Sequence, residues 1–264
     1  MTMLPSVAPP LSMGNPWVRP LTTADPFKWL AQGWRDFLTQ MPLSLAYGVI
    51  ILAISVGLVA GLVALKRDYI LFPLFAGFMV IGPILAVGLY EKSRRIEEGL
   101  PLRWQNIFFV RPRSGGQILF TGVLLCLLMI VWIRAAVLIY ALFFGMVAFP
   151  GLDRIASMLF TTGIGWAMLI VGTAVGGLFA AFSFAISAFS IPMLLDQRID
   201  AFTAMGSSMA LVWNNLRVLL IWAAIVLALF LASLATGMLG LVMIYPLLGH
   251  ATWHAYRAAQ PETE

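Results

Sequence analysis

The stretch that decides the fold covers residues 114–196 and reads SGGQILFTGVLLCLLMIVWIRAAVLIYALFFGMVAFPGLDRIASMLFTTGIGWAMLIVGTAVGGLFAAFSFAISAFSIPMLLD. Between Ser114 and Asp196 its only charged side chains are those of Arg134, Asp153 and Arg154. A helix needs about 20 predominantly apolar residues to cross the hydrocarbon core of a bilayer. This stretch can therefore cross a membrane more than once, and it predicts a membrane protein.

The composition of the whole chain supports the same class. Of its 264 residues 61% are hydrophobic and 10% are charged, whereas soluble domains carry about 25% charged residues. The apolar runs are continuous, while barrel strands alternate in and out. The fold class predicted is therefore all-α, a polytopic membrane protein with a single membrane domain.

The net charge of +5 does not indicate a nucleic-acid partner. The basic residues lie beside apolar runs, where anionic lipid attracts them, so we expect membrane lipids as partners and no nucleic acid. Cys126 is the only cysteine and allows no intrachain disulfide. The N-terminus lacks the apolar core of a signal peptide, so the first span is expected to direct insertion.

Six transmembrane helices are predicted, together with short helices that precede the first, third and fifth of them. A proline-rich tail, 1–25, is expected to be extended or to lie on a partner, and 258–264 forms a C-terminal tail after the membrane domain, 26–257. The spans are predicted at about 42–65, 69–90, 117–145, 165–195, 217–235 and 238–256. The short helices, 27–37, 104–110 and 201–213, are amphipathic or rich in bulky apolar residues and are expected to lie in the interface plane. Their recurrence suggests an internal triplication, although apolar sequences match one another easily.

Prolines are expected to kink three of the spans, at Pro83, Pro192 and Pro246. The fourth span is too long for an upright crossing, so it must tilt, bend at Gly176–Gly177 or project from the membrane. Broken helices in corresponding positions can mark a transport site. Because proline is common in membrane helices, a simple packing kink is the favoured interpretation.

The distribution of basic residues predicts the orientation. With six spans, both termini and the loops 91–116 and 196–217 share one side, which holds 12 of the 16 lysines and arginines. The positive-inside rule places that side in the cytosol. We therefore expect a multi-pass protein of the bacterial inner membrane with both termini cytoplasmic.

Three motifs resemble those of an uncharacterised family of bacterial integral membrane proteins. They are GLYE with SRR at 88–91 and 93–95, SIPMLLD at 190–196, and PLLGHATWHAYR at 246–257, which is the most specific. The resemblance covers most of the chain beyond about Trp29. It implies a shared fold but no activity, since the family is a domain of unknown function. Members are sometimes labelled cytochrome c oxidase subunit I, but that subunit needs six histidines for its two haems and copper, and this chain has two.

His250 and His254 are weak candidates for metal or haem binding, because residues four apart share one face of a helix. No Cys, Asp or Glu within ten residues of His250 could complete a ligand shell, and a structural zinc site needs four ligands. Trp253 and Tyr256 beside them are typical of an aromatic belt at the membrane surface. An interfacial anchor or partner contact is the favoured interpretation, and no cofactor is predicted.

Other polar residues carry weaker hypotheses. Arg134 is predicted near the outer interface, where it can pair with Asp153, extend to the headgroups, or contact a substrate or lipid. Arg94 and Arg95 belong to a charged cluster expected to set orientation and to touch lipid headgroups. Asn214 and Asn215 are expected to cap the fifth span, with a partner contact as the alternative.

The sequence contains no nucleophile–base pair, phosphate loop or carboxylate pair on one helix face, so no enzyme is predicted. It favours a non-catalytic subunit or assembly factor of a larger membrane complex, respiratory or photosynthetic, with protein partners in the membrane. The alternative is a channel or facilitator for a small or lipidic molecule. Carboxylates are missing from the spans, which counts against ion-coupled transport. An enzyme acting on lipids is the least favoured hypothesis.

Overall fold

The structure is a computed structural model that describes residues 15–145 and 151–260. Every regular element in these residues is helical, which confirms the predicted fold class. The α-helices are α1 (Asp25–Leu38), α2 (Met41–Ala64), α3 (Leu71–Leu85), α4 (Val87–Glu97), α5 (Trp104–Phe108), α6 (Gly115–Phe144), α7 (Leu152–Thr161), α8 (Gly163–Ser187), α9 (Ser190–Asp196), α10 (Ala201–Asn214), α11 (Leu216–Ala235) and α12 (Leu241–Ala258).

Five helical segments in the described ranges are long and apolar enough to cross a membrane. They are Met41–Ala64, Leu71–Glu97, Gly115–Phe144, Gly163–Asp196 and Leu216–Ala235. The predicted sixth span, 238–256, corresponds to α12, which is not among these five. Its C-terminal half carries His250, His254 and Arg257, which lower its hydropathy. The sixth crossing thus stays a prediction.

The second span is interrupted just after Pro83, close to the predicted kink. Helix α3 ends at Leu85 and α4 begins at Val87. Tyrosine hydroxyls from two neighbouring helices donate to carbonyls at this break: Tyr245 to Gly82 O at 2.9 Å and Tyr47 to Leu85 O at 2.7 Å. These bonds give the two carbonyls hydrogen-bond donors, which apolar surroundings could not supply.

The fourth span bends at a different place from the glycine pair considered from the sequence. Gly176–Gly177 lie inside the continuous helix α8, and the interruption falls between Ser187 and Ser190. Ser208 on α10 accepts a bond from the Phe189 N–H at 3.1 Å and donates to Ala185 O at 2.7 Å. The bend therefore lies where the Ser208 hydroxyl can form hydrogen bonds with backbone groups that have lost their partners within the helix.

The remaining two prolines do not interrupt helices. Pro192 lies in the first turn of α9, where its missing N–H would have no acceptor inside the helix. Pro246 lies within α12, which is one helix from Leu241 to Ala258. Of the three prolines, only Pro83 is followed directly by an interruption of its helix.

Helix α12 is the centre of the molecule. It packs against α1, α2, α4, α9 and α11, and it approaches the first two closely. A Cβ added to Gly33 in α1 would lie 2.6 Å from the backbone nitrogen of Ala251, and one added to Gly48 in α2 would overlap the Val242 carbonyl. Glycine at these positions lets the backbones come together.

The three short helices exist as predicted, and each directly precedes a long one: α1 before α2, α5 before α6 and α10 before α11. Their location in the interface plane remains a prediction. Asp200 is the N-cap residue of α10. Its carboxylate accepts from the Thr203 N–H at 2.9 Å and from the Thr203 hydroxyl at 2.6 Å. These bonds hold the pKa of Asp200 below its usual value.

The outer segment after Arg134 is helical for most of its length. Helix α6 continues unbroken to Phe144, and the short helix α7 follows at Leu152–Thr161. Residues 146–150 lie outside the described ranges.

Substitution of Gly48 by alanine should lower the melting temperature of the detergent-solubilised protein. The added methyl group meets the Val242 backbone, which cannot move without shifting α12, and overpacking of this kind costs about 1–3 kcal/mol. Gly61→Ala on the same helix is the control, because a Cβ there meets nothing within 4 Å. Equal melting temperatures for the two variants would contradict the close α2–α12 contact.

A buried polar cluster around His250

Lys92 is fully buried, at 0% exposure, although it lies in a charged segment of the sequence. Its Nζ donates to the backbone carbonyl of Asp36 at 2.9 Å and to Ser44 Oγ at 2.7 Å. A buried ammonium is costly unless it is hydrogen-bonded. Lys92 therefore joins α4 to the end of α1 and the start of α2.

His250 lies between two hydroxyl groups and is also completely buried. Its Nε2 is 3.0 Å from Ser44 Oγ, and its Nδ1 is 2.9 Å from Ser93 Oγ. Because the Lys92 ammonium can only donate, Ser44 accepts from it and its own proton is available for Nε2. This order of bonds fits a neutral imidazole that carries its proton on Nδ1 and donates it to Ser93.

His254 binds Asp36, the residue whose carbonyl also accepts from Lys92. The distance from His254 Nε2 to Asp36 Oδ2 is 2.8 Å, and both side chains are largely buried. Six residues from four helices thus form one polar group. The His250 cluster is defined as Asp36 (α1), Ser44 (α2), Lys92 and Ser93 (α4), and His250 and His254 (α12).

Ion pairs surround the cluster on the same end of the bundle. Glu91, which is only 2% exposed, accepts from Arg94 at 2.6 Å and from Arg95 at 2.7 Å. On the other side of α4, Glu97 pairs with Arg257 at 2.9 Å. Arg94 and Arg95 are thus engaged within the chain, and their predicted contact with headgroups or partners remains a prediction.

Trp253 and Tyr256 do not form the aromatic belt expected from the sequence. Both are buried, at 1% and 0% exposure. The Trp253 indole donates to Glu97 Oε2 at 3.0 Å, and the Tyr256 hydroxyl donates to Asp196 Oδ2 at 3.1 Å. Helices α4 and α9 therefore cover the C-terminal end of α12. The sequence pattern could not indicate this, because it depends on contacts between helices.

His250 and His254 share the predicted side of α12, but each is occupied by side chains of the chain itself. In the described parts of the chain, no group of three or more His, Cys, Asp or Glu is arranged to hold a metal ion. Both ring nitrogens of His250 already have hydroxyl partners. The cluster therefore works as an internal contact in this state, and the anchor role preferred from the sequence is wrong for His250.

Arg134 is exposed on α6, in the outer part of the third span. The side chain of Asp153, its expected partner, lies outside what the structure describes. Pairing with Asp153 and contact with a substrate or lipid headgroup thus remain predictions for Arg134.

Asn214 and Asn215 hold the N-terminal tail instead of capping α11. Asn215 stands at the N-cap position of α11, but its side chain makes no capping bond. Its Oδ1 accepts the Arg19 N–H at 2.9 Å, and its Nδ2 donates to Trp17 O at 2.8 Å. Asn214 Oδ1 accepts from Asn15 Nδ2 at 2.7 Å. The capping interpretation is wrong.

The tail contacts its own chain as far as it is described. Besides its bonds to Asn215, Arg19 donates from Nε to Ala259 O at 2.7 Å, and Trp17 and Leu21 pack against the core. Residues 15–24 of the tail therefore lie on the chain itself, and a contact of the tail with a partner stays a prediction. It also follows that the two ends of the described chain meet.

The His250 cluster contains serine and histidine, but three of its side chains are closed to solvent. Ser44, Lys92 and His250 are each 0% exposed, so in this state they are not within hydrogen-bond reach of a substrate. The arrangement is suited to holding helices together.

Residues 71–196 match the family described as "Predicted integral membrane protein (DUF2189)". This segment is similar to that family of predicted integral membrane proteins, as the resemblance in its sequence suggested. The matched range contains the motifs at 88–91, 93–95 and 190–196 but not the one at 246–257, which seemed the most specific. No curated protein and no solved structure matches the chain.

The family match and the apolar helices together establish that the protein is embedded in a membrane. The family description names no activity. It also lends no support to the label of cytochrome c oxidase subunit I.

Replacement of Lys92 by methionine should destabilise the protein by about 1–3 kcal/mol, because the Asp36 carbonyl and Ser44 each lose a buried donor. Lys28→Met is the matched control, since Lys28 makes only an exposed pair with Asp25, worth about 0.2–1 kcal/mol. Thermal unfolding in detergent measures both. A Lys92→Met protein as stable as Lys28→Met would show that the buried bonds contribute little.

Asn215→Ala should free the N-terminal tail, because it removes the side chain that bonds two tail residues in a buried position. Hydrogen–deuterium exchange of residues 15–22 should then accelerate strongly. Asn214→Ala removes a single, exposed bond to the tail, the one to Asn15, together with a bond to Ala210 O inside α10, and should have a much smaller effect on the tail. If the two variants exchange alike, the tail is held by other contacts.

Proposed function

We propose that the protein is a non-catalytic integral membrane subunit, or an assembly or stabilising factor, of a larger membrane complex. The observation that supports this is the closure of the His250 cluster. Within the cluster, Ser44, Lys92 and His250 are fully buried and bind each other, and the whole cluster connects four helices. Such a centre stabilises a scaffold and offers no place for a substrate.

The outer surfaces of the spans support the same proposal. Long apolar faces of α2, α6, α8 and α11 are exposed in the isolated chain, and lipid or a partner helix must cover them. On α2, Gly57 and Gly61 lie four residues apart, and a Cβ on either meets nothing within 4 Å. Small residues in this spacing allow close packing with another helix.

We further propose that α12 is the sixth crossing and that both termini face the cytosol of the bacterial inner membrane. The bond between Arg19 and Ala259 supports an even number of crossings, because five would separate the two ends of the chain. With 18 residues, α12 extends about 27 Å, close to the thickness of the hydrocarbon core. Its polar residues are accommodated by neighbouring helices instead of lipid.

The channel or facilitator hypothesis gains no specific support. Two cavities in the described residues adjoin the docked tail: one is lined by Arg19 and Arg217, and the other by Trp17 and Gln260. Neither follows a path between the spans. A scaffold role is therefore the better explanation of the geometry.

The proposal is tested by isolating the natively expressed, tagged protein in mild detergent and analysing it by native electrophoresis and mass spectrometry. We expect migration well above the mass of a monomer, with specific membrane proteins in stoichiometric amounts. Migration as a monomer under conditions that preserve other membrane complexes would contradict the proposal.

Leucine at both Gly57 and Gly61 should reduce the recovery of such a partner, because the new side chains would hold a facing helix away. Gly206→Leu is the matched control: it adds the same side chain on α10, where a Cβ also meets open space. Both variants should fold, as a Cβ at any of these three positions meets no atom of the chain within 4 Å. Undiminished recovery with the Gly57/Gly61 variant would exclude this face of α2 as the contact.

A further inference from the structure

A cavity of about 370 Å³ lies between the docked tail and the beginning of α11. The tail supplies Arg19, Thr22 and Thr23, and the head of α11 supplies Arg217. None of the polar groups of this cavity takes part in the His250 cluster. It is a separate feature of the molecule.

The cavity is cationic. Its lining includes two arginines and no carboxylate. The guanidinium group of Arg19 donates only to backbone carbonyls, those of Pro16, Val18 and Ala259, so its positive charge is not neutralised. Arg217 is exposed and forms no ion pair with any residue that the structure describes. Asp25, which accepts from the N–H and the hydroxyl of the lining residue Thr22, is already paired with Lys28 at 2.7 Å. The cavity therefore favours an anion.

The surroundings of the cavity are apolar and lie at the head of a membrane span. Val18 and Leu216 line it and are 55% and 42% exposed, and Trp213, just before the lining residues of α10, is 76% exposed. Tryptophan is enriched at the level of lipid headgroups, and basic residues there attract anionic lipid. A ligand that combines a phosphate with acyl chains matches both the charge and the apolar rim.

We propose that this cavity binds the headgroup phosphate of an anionic phospholipid. Arg217 contacts the phosphate, Arg19 supplies a second positive charge from the tail, and the hydroxyl of Thr23 is available as a donor, whereas that of Thr22 donates to Asp25. The acyl chains lie along Leu216 and the start of α11. Since the tail forms one wall of the cavity, a bound lipid also fastens the tail to the head of the fifth span.

The test uses the full-length protein, delipidated in detergent and examined by native mass spectrometry with phosphatidylglycerol or phosphatidylcholine of identical acyl chains. The wild-type protein should retain phosphatidylglycerol in preference to phosphatidylcholine. Arg217→Gln should reduce this retention about fivefold, since one basic residue near an anionic headgroup contributes about 1 kcal/mol. Arg217→Lys should preserve most of it, because the charge remains.

Arg103→Gln is the matched control, because Arg103 is also an exposed arginine beside an exposed tryptophan, Trp104, but it does not line the cavity. It should leave retention unchanged. Equal retention of the two lipids, or equal losses in Arg217→Gln and Arg103→Gln, would overturn the proposal. Displacement of phosphatidylglycerol by millimolar inorganic phosphate would assign the cavity to a soluble phosphate ligand and contradict a lipid site.

Discussion

The structure depends on the satisfaction of one buried ammonium group. Lys92 cannot reach water, so its position requires the Asp36 carbonyl and the Ser44 hydroxyl as acceptors. Ser44 in turn orients His250, and Asp36 binds His254. Asp36 lies on α1, Ser44 on α2 and both histidines on α12, so the hydrogen bonds that begin with one charge on α4 connect all four helices. In a lipid bilayer, burial of apolar side chains gives little preference for one helix arrangement over another. Polar contacts such as these then specify how the helices pack.

Much of the fold could be predicted from the sequence because bilayer hydrocarbon leaves few alternatives. Continuous apolar runs allow only helices, and their lengths place five spans and the short helices before α2, α6 and α11 close to their observed bounds. The break after Pro83 could be predicted because proline removes a backbone donor. The bend at 187–190 could not, since it depends on Ser208, a hydroxyl from another helix that no local pattern reveals.

The polar site was far less predictable, although its histidines were recognised. The i, i+4 spacing correctly places His250 and His254 on one side of α12. The burial of Trp253 and Tyr256 could not be predicted, because it depends on other helices that cover the end of α12. Lys92 lies in the same charged segment as Arg94 and Arg95, and nothing in the sequence distinguishes it from them. The contact between the tail and Asn215 could not be predicted either, because it joins residues about 200 positions apart.

The burial of Lys92 can be measured directly, because the chain has only three lysines, Lys28, Lys66 and Lys92. The folded protein is treated in detergent with an amine-reactive reagent, and modification of each lysine is followed over time by mass spectrometry. The account predicts rapid labelling of Lys28 and Lys66 and protection of Lys92 until the protein is unfolded. Labelling of Lys92 at the rate of Lys28 in the folded protein would contradict it.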